Sequence, residues 1–121
     1  MPTYREFYGV GVFNDKIYVA GGMGQTENEE SVNLDIVEVY DPKTNEWSSV
    51  ANMNLVRTSP AMLAFDGKLF ALGSQDDGDV GRDTWEFYDP ELDTWTLMDK
   101  MDGNVYPACA VVMKQYEVQI D

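Results

Sequence analysis

Apolar and polar residues alternate in short runs along this chain, and no stretch holds the period of an amphipathic helix. The runs "GVGVF" (Gly9 to Phe13) and "KIYVAGG" (Lys16 to Gly22) flank the polar dipeptide Asn14-Asp15. Further on, "PAMLAF" (Pro60 to Phe65) and "KLFALG" (Lys68 to Gly73) flank Asp66-Gly67. Two apolar runs around a two-residue polar turn predict a β-hairpin in each place. A polar loop follows each hairpin, and then an alternating strand with Val37 and Val39 in one case and Trp85 and Phe87 in the other. "DPKTN" and "DPELD" next set Asp and Pro at turn positions, where the Pro ring fixes φ. A fourth strand carrying Trp47 or Trp95 completes each set.

The two sets are copies of one another. "VEVYDPKTNEWSSVANM" (Val37 to Met53) returns as "WEFYDPELDTWTLMDKM" (Trp85 to Met101) at an offset of 48, which carries Tyr40 to Tyr88 and Trp47 to Trp95. "FNDKIYVAGG" matches "FDGKLFALGS" at an offset of 52, which also lays Arg5 on Arg57 and Met1 on Met53. The loop between Gly22 and Tyr40 is therefore four residues longer than its counterpart between Ser74 and Tyr88. Met101 opens a third copy, "MDGNVYPACAVVM", with Val105 in the Arg position. Four short strands in roughly 50 residues is the period of a propeller blade.

A Gly pair closing a strand, then Tyr-Asp-Pro, Trp, Met and Arg, resembles the kelch repeat, and it looks most like the repeats of animal kelch-like proteins. Gly21, Gly22, Tyr40 and Trp47 fill the structural positions of the first copy; Gly73, Tyr88 and Trp95 fill those of the second, with Ser74 in place of its second Gly. The resemblance covers about Met1 to Val112. It implies an all-β fold, a partial kelch β-propeller of two four-stranded antiparallel blades plus the first strand or strands of a third. The expected division is repeat 1 over 1–52, repeat 2 over 53–100, and the start of a third repeat with a divergent tail over 101–121. The aromatic residues should pack blade on blade, and the Gly pair should answer a backbone need. A propeller closes with roughly 4 to 8 blades, so a piece of a longer array is expected. Self-association that completes a ring is the alternative.

Charge narrows the choice of partner. With 22 acidic against 8 basic residues the net charge is −14, which repels nucleic acid and anionic membrane surfaces. A basic peptide or protein patch is the natural ligand, although solubility alone accounts for the charge equally well. The single cysteine, Cys109, excludes a disulfide within the chain, and no signal peptide or bilayer-length apolar run is present, so a cytoplasmic setting is expected. The absence of histidine excludes Ser-His-Asp and Cys-His catalysis and His-ligated copper or zinc. "GVG" at Gly9 to Gly11 lacks the third glycine of a dinucleotide fingerprint, and "GGMG" lacks the Lys-Ser/Thr of a P-loop. A calcium loop begun at Asp77 would need Gly at Arg82 and Glu at Tyr88. No cofactor, no metal and no enzymatic activity are therefore expected. Because kelch propellers include enzymes, the resemblance leaves a kelch-type sugar mutarotase as a remote alternative.

In kelch-like proteins one propeller face holds the partner. It is built from the loops before the first strand of each blade and the loops after the Gly pair. By resemblance the first set includes Arg5, Arg57 and Tyr106, and the second includes Glu27, Glu29, Glu30, Gln75, Asp76, Asp77 and Asp79. Arg5 and Arg57 either grip a partner's carboxylate through two hydrogen bonds or bond internally to a neighbouring blade's backbone. The implied function is protein-protein interaction. Kelch-like proteins commonly join the propeller to BTB and BACK domains and present substrates to a cullin-RING ubiquitin ligase, and those domains are not among these residues. Actin binding is a second possibility, weakened by the acidity that actin and this segment share.

Overall fold

The computed structural model describes residues 1–74 and 84–98. Among these residues the chain forms ten strands and no helix. The first sheet contains β1 (Gly9–Phe13), β2 (Lys16–Ala20), β5 (Val37–Asp41) and β6 (Glu46–Ser49), in that spatial order and antiparallel throughout. The second contains β7 (Ala61–Phe65), β8 (Lys68–Leu72), β9 (Trp85–Asp89) and β10 (Thr94–Met98), also antiparallel and in chain order. These are two four-stranded propeller blades, as the repeat predicts. The third copy and Cys109 lie outside the described residues.

The hairpin turns follow from their sequences. Asn14 and Asp15 have φ of 53° and 62°, and Asp66 and Gly67 have 52° and 74°. Two positive φ values in a two-residue link define the type I′ turn, whose twist matches that of the flanking strands.

The polar loop of the first copy holds more structure than its composition suggests. Its ends pair as β3 (Met23–Gln25) and β4 (Ser31–Asn33), a small hairpin outside the blade sheet. Gly24 lies close under Leu34, where a Cβ would approach Leu34 Cδ1 to 3.2 Å. Thr26 organises the tip: its N–H donates to Glu30 O, its carbonyl accepts from Glu29 N–H, and its hydroxyl accepts from Glu30 N–H.

The blades stack face to face because glycine opens β1 to its neighbour. A Cβ at Gly9 would lie 2.6 Å from Pro60 O, and one at Gly11 would lie 3.0 Å from Met62 Cβ. The core between the blades includes Phe13, Tyr18, Met53, Leu69, Ala71 and Tyr88, and the Tyr18 and Tyr88 rings meet across the seam with centroids 5.9 Å apart.

The repeated aromatic pairs share geometry but differ in burial. Tyr40–Trp47 and Tyr88–Trp95 each place their ring centroids 5.2 Å apart. Tyr88 and Trp95 are buried, whereas Tyr40 and Trp47 are half-buried. The second pair faces the chain leaving the first blade. Trp95 Nε1 donates to Ala51 O, while Asp93 accepts both Ala51 N–H and the Tyr88 hydroxyl. Those bonds, Ala51 N–H first, hold the Asp93 carboxyl below its usual range. Burial pushes the Tyr88 phenol up, and its bond to Asp93 adds to this.

Candidate functional site

The two repeat arginines point inward. Arg57 is fully buried; its Nε donates to Glu86 Oε2 at 3.0 Å, and its Nη1 reaches the carbonyls of Thr84 and Gly73 at 3.1 and 3.3 Å. Arg5 repeats the arrangement in the first blade, with Glu38 Oε1 at 2.7 Å from Nη2 and the carbonyls of Gly21, Ile36 and Val19 within 3.2 Å. Burial lowers the Arg5 pKa, and the Glu38 charge partly offsets that. Of the two roles expected for Arg5 and Arg57, partner contact or an internal bond, the structure shows the internal one, made to carbonyls of each arginine's own blade, and neither guanidinium is presented to a partner. At the Gly pair the ends of two strands bring several carbonyls close together, Ile36 O and Thr84 O among them still accepting from Gly21 and Gly73 N–H, and a planar group with five N–H donors gathers them.

Arg57 also joins the blades. Its side chain belongs to the second blade, but its carbonyl accepts from Gly22 N–H at 2.7 Å and its N–H donates to Leu34 O at 3.1 Å, both in the first. The left-handed Gly22, with φ of 100°, allows this approach. Glu38 and Glu86, the counter-ions, are residues that sequence reasoning missed. They occupy the same repeat position, and an acid set between the two apolar residues that open each strand was the available signal.

Pegging Arg5 inward turns its neighbours outward. Tyr4 is 77% exposed, and Glu6 and Phe7 are exposed beside it. Glu6 fixes this loop to the small hairpin through a two-bond bridge to Met23, at 2.9 and 2.7 Å. Phe7 has φ of 55°, a left-handed conformation that a bulky residue adopts only under constraint. Ser59 supplies that constraint by donating its N–H to Phe7 O at 2.6 Å. Between loop and hairpin lies a shallow cleft of about 140 Å³ lined by Tyr4, Glu6, Phe7, Gly24, Gln25 and Ser31, among others. Within the loop the Tyr4 hydroxyl donates to Glu6 Oε1 at 3.3 Å.

Of the other sequence-predicted residues, Glu27, Glu29 and Glu30 are exposed at the tip of the same hairpin. Gln75, Asp76, Asp77, Asp79 and Tyr106 lie outside the described residues. Gly21, Gly22 and Gly73 all have positive φ, which is the backbone need anticipated for them. Among the described residues no cluster of His, Cys, Asp or Glu is suited to a metal ion, and no helix is long and apolar enough to cross a membrane.

Comparison with known proteins agrees with this architecture. The family model for the Kelch motif matches residues 4–54, and the chain belongs to the kelch-repeat family. Kelch repeat and BTB domain-containing protein 1 of cowpox virus is 35% identical over 105 residues, 85% of this chain and 17% of the viral protein. Human Kelch-like protein 23 is 34% identical over 114 residues, 93% of this chain and 20% of the human protein. The chain thus spans at most a fifth of the length of these two relatives. Among solved structures, YjhT superposes with a TM-score of 0.67 at 15% identity, over 79% of this chain and 38% of its own, and shares the fold.

Proposed function

We propose that this chain is the protein-binding arm of a kelch propeller, and that it holds its partner on the face formed by residues 4–8 and the β3–β4 hairpin. The observation that carries this is rigidity combined with exposure. Arg5, the Glu6–Met23 bridge and the Ser59–Phe7 bond fix the backbone, while Tyr4, Glu6 and Phe7 project into solvent. Loops held by a rigid sheet and tipped with aromatic residues are favourable recognition surfaces, because little side-chain entropy is lost on binding. The names of the viral relatives couple kelch repeats to a BTB domain, which favours a role in presenting substrates to a cullin-RING ubiquitin ligase. These 121 residues would then contribute substrate contacts, and ligase contacts would come from a BTB region.

The test is comparative capture from cell extract by the wild-type chain and by a Tyr4→Ala/Phe7→Ala variant. The variant should lose a discrete set of proteins while its melting temperature falls by no more than about 2 °C, as for surface changes. Those proteins should also gain ubiquitin when a BTB-bearing version is expressed with its ligase. An unchanged capture pattern would remove this face from consideration.

A further inference from the structure

We propose that the cleft beside Tyr4 takes a lysine or arginine side chain from an extended basic segment of the partner. This rests on the reading of that face as the partner site and specifies the chemistry it recognises.

Three features converge on this occupant. The first is the lining, where the exposed rings of Tyr4 and Phe7 border a cleft that also contains the Glu6 carboxylate, and no lysine or arginine lines it. A cationic side chain lays its methylene stem on aromatic surface and its charged head against a ring face or carboxylate, whereas an acidic or purely aliphatic side chain would satisfy only part of that lining. The second is the surrounding charge. Glu27, Glu29 and Glu30 stand exposed on the hairpin that forms one wall, and the nearest arginine in sequence, Arg5, is sealed against Glu38.

The third is the backbone edge of β3. Met23 directs its N–H and C=O to Glu6. In an antiparallel ladder the residue two places on faces the same way, so Gln25 turns its N–H and C=O toward the cleft. The antiparallel pairing of this loop with β3 is the Glu6–Met23 bridge and does not extend to Gln25. An extended peptide can therefore bond to Gln25 while an alternate side chain enters between Tyr4 and Phe7. Phe7 is held in a left-handed conformation at this spot, and the strain is borne where a ring is offered to the cleft.

The experiment is fluorescence anisotropy with the full 121-residue chain and a labelled peptide of alternating lysine and serine, in about 0.15 M salt to screen the general field. The control peptide carries acetyl-lysine at every lysine. Binding of the lysine peptide and not the acetylated one is expected. Glu6→Gln and Tyr4→Ala should each weaken it by about tenfold, the scale of one lost charged or ring contact. Phe7→Gly should weaken it similarly while leaving the fold intact, since glycine adopts positive φ freely. Glu46→Gln, an equal charge change on exposed β6 away from the cleft, should alter affinity by less than about twofold. Equal losses for Glu6→Gln and Glu46→Gln would show attraction to net charge alone and overturn the proposal. Equal binding of the acetylated peptide would also overturn it. If protein capture still depended on Tyr4 and Phe7 in that case, the face would stand and only its preference for a cation would fall.

Discussion

At the residue scale, the buried Arg57–Glu86 pair governs how the second blade is held. Glu86 is fully buried with both carboxylate oxygens bonded: Oε2 to Arg57, and Oε1 to the backbone and side-chain N–H groups of Asn54 at 2.7 and 3.1 Å. Removing one member of a buried pair leaves the other charged and desolvated, which costs more than the pair itself contributes. Glu86→Ala should therefore destabilise the chain by about 3–5 kcal/mol in chemical denaturation. A loss below about 1 kcal/mol would mean that solvent reaches Arg57. The first blade is less fully satisfied: Thr3 donates to Glu38 Oε2 at 3.1 Å, and Arg5 Nε has no partner among the described residues. Sequence alone marked both arginines as repeat positions. It did not decide between partner contact and internal support, because the carbonyls they satisfy come from separate segments of the chain.

At the element scale, most strands were legible and one hairpin was not. Type I′ turns need left-handed residues, and Asn14-Asp15 and Asp66-Gly67 announce them, so strands on either side could be placed by alternation alone. The β3–β4 hairpin has three residues per strand and a polar sequence, and its pairing depends on the Glu6 bridge and on Leu34 packing over Gly24. Neither contact is visible in local periodicity. In the same way, the equal spacing of Trp47 and Trp95 suggested equal roles, but burial depends on what stacks against each. Trp95 bonds to Ala51 of the first blade and is 8% exposed, so Trp95→Ala should cost about 3–5 kcal/mol. Trp47 is only half-buried, and Trp47→Ala should cost clearly less. Equal melting-temperature shifts for the two variants would contradict the inter-blade role given to Trp95.

At the scale of the whole molecule, the two blades form an arc whose outer faces remain apolar. Val10 and Val12 alternate with the glycines of β1 and are 51% and 67% exposed, on the side away from the second blade. On the second blade, Phe70 lies between Trp85 and Phe87 with centroids 5.7 and 5.9 Å away, and all three rings are only half-buried. Such surface carries a cost of about 25 cal/mol per Å² in water, and in a closed propeller neighbouring blades would cover it. The −14 charge opposes indiscriminate aggregation without covering these faces, so association should be limited and sensitive to salt. In sedimentation experiments the 121-residue chain should run above its 13.7 kDa monomer mass at micromolar concentration, more so at high salt. Val10→Lys/Val12→Lys should shift it toward monomer, because each added charge must be desolvated before the face can be covered. A wild-type chain that stays monomeric at high salt and binds no apolar dye would mean that these faces are closed in solution, and the two-blade arc would have to be replaced by a packing that buries Val10 and Val12.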